Sequence, residues 1–182
     1  MALQFTTSYI EDSLHLLRYY KKLAEGALAQ ATEPQLYQLL DEDANSIAIV
    51  MQHMAGNMKS RWTNFLLEDG EKPWRNRDSE FEQPPATRQA LLQLWEEGWD
   101  CVFRTLETLT DSDLSRTVPI RGEAHSVMQA INRQIAHYAY HCGQIVLLAK
   151  HFQQAQWKSL TVPKGESAEF NAKVRAREAS QR

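Results

Sequence analysis

The sequence predicts an all-α fold: a four-helix bundle with a short extra helix and a polar C-terminal extension. Three observations carry this. Glycine and proline are sparse, 7 and 6 in 182 residues, too few for the turns of a β fold. Four long stretches repeat apolar residues at helical spacing, each with a face broad enough for a bundle core. Ser or Thr followed three residues later by Glu or Gln recurs where helices should begin, the mark of a capped start.

Taken in order, the first helix runs from about Ser8 to Leu28. Ser8 and Glu11 have capping-box spacing, and Ile10, Leu14, Leu17, Ala24 and Leu28 form the stripe. Thr32-Glu33-Pro34-Gln35 is a second box, with proline in the first turn, where its missing N–H costs nothing. It opens a short helix carrying Leu36, Leu39 and Leu40, which the acidic DEDANS stretch ends. A longer helix spans about Ser46 to Leu67, with Ile47, Val50, Met51, Met54, Met58, Trp62 and Phe65 inward. The polar segment DGEKPWRNRDSEFEQPPA follows, its prolines excluding a regular helix. Its mixed charge suits a solvated linker, whereas its length and its aromatics, Trp74 and Phe81, suit packing over one bundle end.

The next helix, about Thr87 to Leu109, turns Leu91, Leu92, Trp95, Trp99, Val102, Phe103 and Leu106 inward. Residues 110–125 read as irregular, with a short extended piece at Thr117–Arg121. Ser126 and Gln129 then box the start of the last long helix, about Val127 to Phe152. Residues 1–155 thus make one domain. Residues 156–182 form a partly flexible extension with room for a short helix around Phe170 and Val174.

Composition narrows the function classes. A hydrophobic share of 43% with 24% charged residues is ordinary for a folded domain and argues against disorder. The net charge of −3 gives no reason to expect a nucleic-acid partner. No apolar run reaches the roughly 18 residues of a membrane span, and the N-terminus lacks the basic and apolar regions of a signal peptide. Two cysteines, Cys101 and Cys142, cannot build a disulfide framework, so a reducing cytoplasm is the expected setting.

The chemistry rests on histidine. His137 and His141 stand four apart, on one helical face and one turn from each other, within reach of a single ion. That face adjoins the stripe of Val127, Ile131, Tyr138, Ile145 and Leu148, so the pair sits at the edge of the core. His53 lies on another helix in the row Ile49, His53, Asn57, Arg61, which flanks the apolar stripe. Three imidazoles converging between helices would leave a coordination position open, as in catalytic metal centres. The plainer alternative is that these are half-buried histidines bonded to neighbours, since six histidines readily produce one such spacing. Against it, adjacent buried imidazoles are costly unless every ring nitrogen has a partner.

Other patterns are absent. There is no HExxH, no phosphate-binding glycine loop, no GxSxG and no CxxC. The Glu-x-x-His of di-iron bundles is missing too, because Val50, Gln134 and Tyr138 stand three residues before His53, His137 and His141. His125 and His151 fall near the ends of the last helix and read as partly solvated. Cys142 reads as a small core residue. Asn57 and Arg61, on the His53 row, suit either a substrate anion or a polar row paired within the bundle.

The pattern His53, then His137-Tyr-Ala-Tyr-His141-Cys-Gly143-Gln144, resembles that of the DinB/YfiT-like superfamily of four-helix-bundle metalloenzymes. The segments HMAGNMKSRWTNFLLEDGEKPWRNRDSEF and INRQIAHYAYHCGQIVLLAKH are similar to a bacterial branch of it. The resemblance covers residues 1 to about 175 and includes all three histidines. It implies a divalent ion, nickel or zinc most often, held by His53, His137 and His141 with water completing the shell. It further implies a small-molecule substrate, a homodimer and, in some members, a low-molecular-weight thiol as co-substrate.

The expected function is therefore a divalent-metal-dependent enzyme, either a thiol-dependent S-transferase or a hydrolase. Catalysis would fall to water or thiol on the metal, because no serine or cysteine shares the histidine face. Asn57, Arg61 and Gln144 are the candidate contacts behind the ligands or to substrate. The alternative is a non-catalytic metal-binding or stress-response module with a closed site.

Overall fold

Helix caps and apolar stripes set the architecture seen in a computed structural model, which describes residues 6–180. The outermost residues of the two termini, read above for a leader and as the end of the extension, lie outside the described residues. Among the described residues six α-helices run in order: α1 Tyr9–Gln30, α2 Glu33–Tyr37, α3 Ile47–Trp62, α4 Arg88–Glu107, α5 Val127–Gln153 and α6 Ser167–Arg175. One antiparallel hairpin, β1 Thr117–Ile120 and β2 Glu123–Ser126, precedes α5. The protein is mostly helical. Among the described residues no helix is long and apolar enough to cross a membrane.

Of the four long helices, α1 packs on α5, α3 on α4 and on α5, and α1 on α4, around one apolar core. Trp62, Trp95, Trp99 and Tyr138 are fully buried at its centre. Helices α3 and α4 approach tightly at Gly98, where a Cβ would stand 3.0 Å from the Ala55 Cα, so a larger residue would push the helices apart. Each stripe residue expected inward on α3 is buried, Phe65 beyond its end included.

Several boundaries differ from the sequence expectation, each for a local reason. Helix α3 stops at Trp62 instead of Leu67: Thr63 is extended and Asn64 takes a positive φ of 49°, leaving Leu67 exposed. Helix α2 ends at Tyr37 because Gln38 is extended, so Leu39 and Leu40 lie outside it and are exposed. The boxes at Thr32/Gln35 and Ser126/Gln129 form fully. The first does not: Ser8 accepts from the Glu11 N–H, but the Glu11 carboxylate turns to the Thr6 hydroxyl. The polar segment after α3 does hold a short 3-10 turn, Asp78–Phe81.

The extended piece expected at Thr117–Arg121 is β1, and the residues after it, read as irregular, supply its partner strand β2. The two turn residues between them, Arg121 and Gly122, have φ of 55° and 77°, the twist that joins antiparallel strands through two residues. Arginine has no preference for that conformation. The Asp69 carboxylate holds it there, accepting from the Arg121 N–H at 2.8 Å and the Gly122 N–H at 2.7 Å. The C-terminal extension packs on its own chain, with Leu160 against Gly26 and Lys158 bonded through its backbone to the Gln30 amide.

Candidate metal centre

His53 comes from the middle of α3, and His137 and His141 from successive turns of α5, which packs against it. Helical spacing puts the two α5 imidazoles in one column, and the α3–α5 contact brings His53 to face them. The Nε2 atoms of His141 and His137 are 3.1 Å apart, and those of His53 and His137 are 3.4 Å apart. Two ligand nitrogens of a tetrahedral site with bonds of about 2.0–2.1 Å would lie about 3.3–3.4 Å apart. The three histidines could therefore hold a metal ion.

The other ring nitrogens explain why His53 and His141 present Nε2 inward. His53 Nδ1 lies 2.9 Å from Oε2 of Glu80, a carboxylate that accepts but cannot donate, so the proton sits on Nδ1. His141 Nδ1 lies 2.7 Å from Oε1 of Gln144, which sets the same tautomer. Both Nε2 lone pairs then face His137. A proton on His137 Nε2 satisfies one of them and leaves the other facing it without a donor; a cation satisfies all three. His137 Nδ1 is buried without a partner among the described residues.

Glu80 was not among the residues singled out from the sequence, and it is the carboxylate that braces this site. It sits on the short 3-10 turn of the polar segment, is buried, and accepts from Arg75 Nε at 2.7 Å and Nη2 at 2.9 Å as well as from His53. Burial alone would raise its pKa, but the bonds from His53 and Arg75 outweigh that and hold it below the usual range. Phe81, next in the chain, lies against the His53 ring at 4.7 Å between centroids. The polar segment is thus no solvated linker: Lys72, Arg75 and Glu80 are all buried in it. Its sequence signals are its length, which a structureless loop inside a compact domain seldom has, and its aromatics, of which Phe81 packs while Trp74 is exposed.

The remaining candidates divide. Gln144 touches His141 directly. Asn57 Oδ1 accepts from the Tyr138 hydroxyl at 3.1 Å, and that hydroxyl accepts from Trp62 Nε1 at 2.9 Å, so the Asn57 carbonyl belongs to a buried core network. Arg61 is anchored by the Gly70 carbonyl and by Glu71. Both nonetheless line a cavity of about 230 Å3 that His53 and His137 also line. Cys142 is buried, and burial pushes its thiol up to about 12, which removes it as a nucleophile at neutral pH.

Burial, with further contributions from His141, His53, Arg61 and Arg75, lowers the His137 pKa to about 3. Unfolded, the same imidazole takes a proton near 6.5. Folded, metal-free protein is therefore expected to lose stability as pH falls from about 6.5 toward 3, by an amount on the order of a few kcal/mol. Glu80, whose folded pKa is lowered, adds loss of the same sign below about 4.5. Urea unfolding of chelator-treated protein at about pH 7 and about pH 4.5 measures this; equal midpoints at both would refute it.

Fold and site together define a mostly helical protein with a three-histidine cluster able to hold a metal ion. The chain belongs to the family described as protein of unknown function (DUF1572), whose model matches residues 4–166. No curated protein and no solved structure matches it.

Proposed function

We propose that the protein is a divalent-metal-dependent enzyme on a four-helix bundle of the DinB/YfiT type, with His53, His137 and His141 as ligands. The observation that carries this is the tautomer arrangement. Glu80 and Gln144 each take an Nδ1 proton, so that lone pairs on Nε2 converge with no donor to satisfy them all. Metal-binding histidines characteristically pass their second N–H to such acceptors. The neighbouring cavity, lined by His53 and His137, favours a site that solutes reach over a closed structural one.

A divalent ion there would lower the pKa of a thiol or of water, which suits thiol-dependent S-transfer or hydrolysis. The chain's own residues hold the imidazoles, fix their tautomers and supply no nucleophile, since Cys142 is buried and Cys101 lies by Thr63, at 3.7 Å. Imidazole donors suit zinc and nickel, and these are the ions proposed. The proposal extends to a small-molecule substrate, a low-molecular-weight thiol as co-substrate, a cytoplasmic setting and a homodimer, without a nucleic-acid or membrane partner.

Metal analysis of untagged protein is the test. About one ion per chain is expected, absent from His53→Ala and His137→Ala. No metal, even after reconstitution with nickel and zinc, would overturn the reading. With cobalt in the site, a spectral change on adding azide would support an open position. No change would favour the non-catalytic module.

A further inference from the structure

Five arginines, Arg61, Arg75, Arg77, Arg121 and Arg133, line the small cavity beside the histidines, and no carboxylate lines it. They arrive from four places in the chain: α3, the polar segment, the hairpin turn and α5. On α3 the row runs His53, Asn57, Arg61, and on α5 it runs Arg133, His137, His141, each at four-residue spacing. Each helix thus carries a cation on the same face as its imidazole, one or two turns away.

Gathering like charges around one space is unfavourable unless something offsets them. Part of the offset comes from outside the cavity wall. Glu71 pairs with Arg61 at 3.1 Å and Arg121 at 3.0 Å, and Glu80 pairs with Arg75. These carboxylates hold the guanidinium groups in place without covering all of them. Arg121 uses Nε on Glu71, and its side chain is 54% exposed. Arg77 lies over the Phe81 ring at 5.0 Å, and its one ion pair among the described residues is with an exposed Asp78 at 3.9 Å. Arg133 is exposed and makes no ion pair among the described residues. The wall also holds potential donors without partners: among the described residues Arg61 Nε and His137 Nδ1 are buried without one, and both residues line this cavity.

We infer that this cavity is the recognition pocket for an oxyanion, a carboxylate or phosphoryl group, on the substrate of the histidine centre. This rests on the metal-dependent reading above only for the word substrate; the anion pocket stands on its own residues. At about 230 Å3 it is smaller than the roughly 300–1,000 Å3 of drug-sized sites, so the anionic end that enters is small. Guanidinium forks suit planar carboxylate and tetrahedral phosphate alike. The anion would be seated by Arg121 and Arg133 from the open side, with the rest of the molecule directed toward His53 and His137.

Calorimetric titration of inorganic phosphate and of malonate into the full chain, as purified and after chelation, tests this. One or both are expected to bind the chelated protein at low salt, and to bind more weakly as salt rises. Arg133→Gln and Arg121→Gln should each weaken binding by roughly tenfold, while keeping the metal content of the parent. His141→Ala, which removes an imidazole that does not line the cavity, should keep anion binding and lose metal. Phosphate binding without malonate assigns a phosphoryl group, and the reverse assigns a carboxylate. Three outcomes overturn the inference: no binding to either form, binding unchanged in both arginine variants, or binding lost in His141→Ala alone. A parent without metal that still binds anion through Arg121 and Arg133 would sink the metal reading and leave the pocket standing.

Discussion

Replacing Glu80 with glutamine is expected to weaken metal binding by about 10–100-fold, although Glu80 is not a ligand. Its two oxygens receive three N–H groups, one from His53 and two from Arg75. An amide offers one oxygen, and its NH2 must then face an N–H. Either His53 loses the acceptor that fixes its tautomer, or Arg75 loses half of its fork. Glu80→Ala goes further. The Arg75 side chain is 2% exposed, and with Glu80 gone its nearest remaining carboxylate is Glu71 at 3.6 Å. A buried charge stripped of its partner costs about 3–5 kcal/mol, which for a chain of this size lowers Tm by roughly 10 °C. Competition with a chromophoric chelator reads the affinity, and a thermal melt reads the stability. An unchanged affinity in Glu80→Gln would mean that the carboxylate serves Arg75 alone.

Gly56→Ala should have a comparable effect on metal binding through the same carboxylate. In the middle of a helix this substitution ordinarily stabilises by about 0.5–1 kcal/mol. Here a Cβ would stand 2.2 Å from Glu80 Oε1 and 2.7 Å from its Cδ. The side chain has to move, and moving it breaks the bonds to Arg75 and His53. The expected result is a lower Tm and metal affinity reduced by about tenfold or more. A double-mutant cycle makes the cause visible: with Glu80 already replaced by alanine, Gly56→Ala should return to its ordinary stabilising sign. Destabilisation that persists in that background would place the conflict elsewhere on α3.

Much of the framework was legible because it depends on neighbours in sequence. Caps at Ser8, Thr32, Ser46, Thr87 and Ser126 accept or box the N–H groups two or three residues on, and those partners are visible in the chain itself. The stripes on α3, α4 and α5 are likewise local periodicities, and the core forms from them. The His137/His141 pair is local in the same sense, since helical geometry alone places the two rings together. Gln144, three residues beyond His141, could be singled out by that rule.

What tertiary structure alone decided lies in residues whose partners are distant in the chain. Glu80 stands in a polar segment without periodicity, 27 residues from the histidine it braces. Arg121 accepts a conformation it does not favour because Asp69, 52 residues earlier, takes its N–H, and so the extended piece legible at Thr117–Arg121 gains a partner strand where the sequence reads as irregular. His53 meets His137 across 84 residues, and the arginines gather from four segments. The sequence by itself determined which helices form, where they start and which face each buries, since hydrogen bonds and side-chain spacing within a few residues settle those. The braced tautomers and the cationic cavity came from packing, because a carboxylate or guanidinium in a loop has no local energy that says which distant group it will meet.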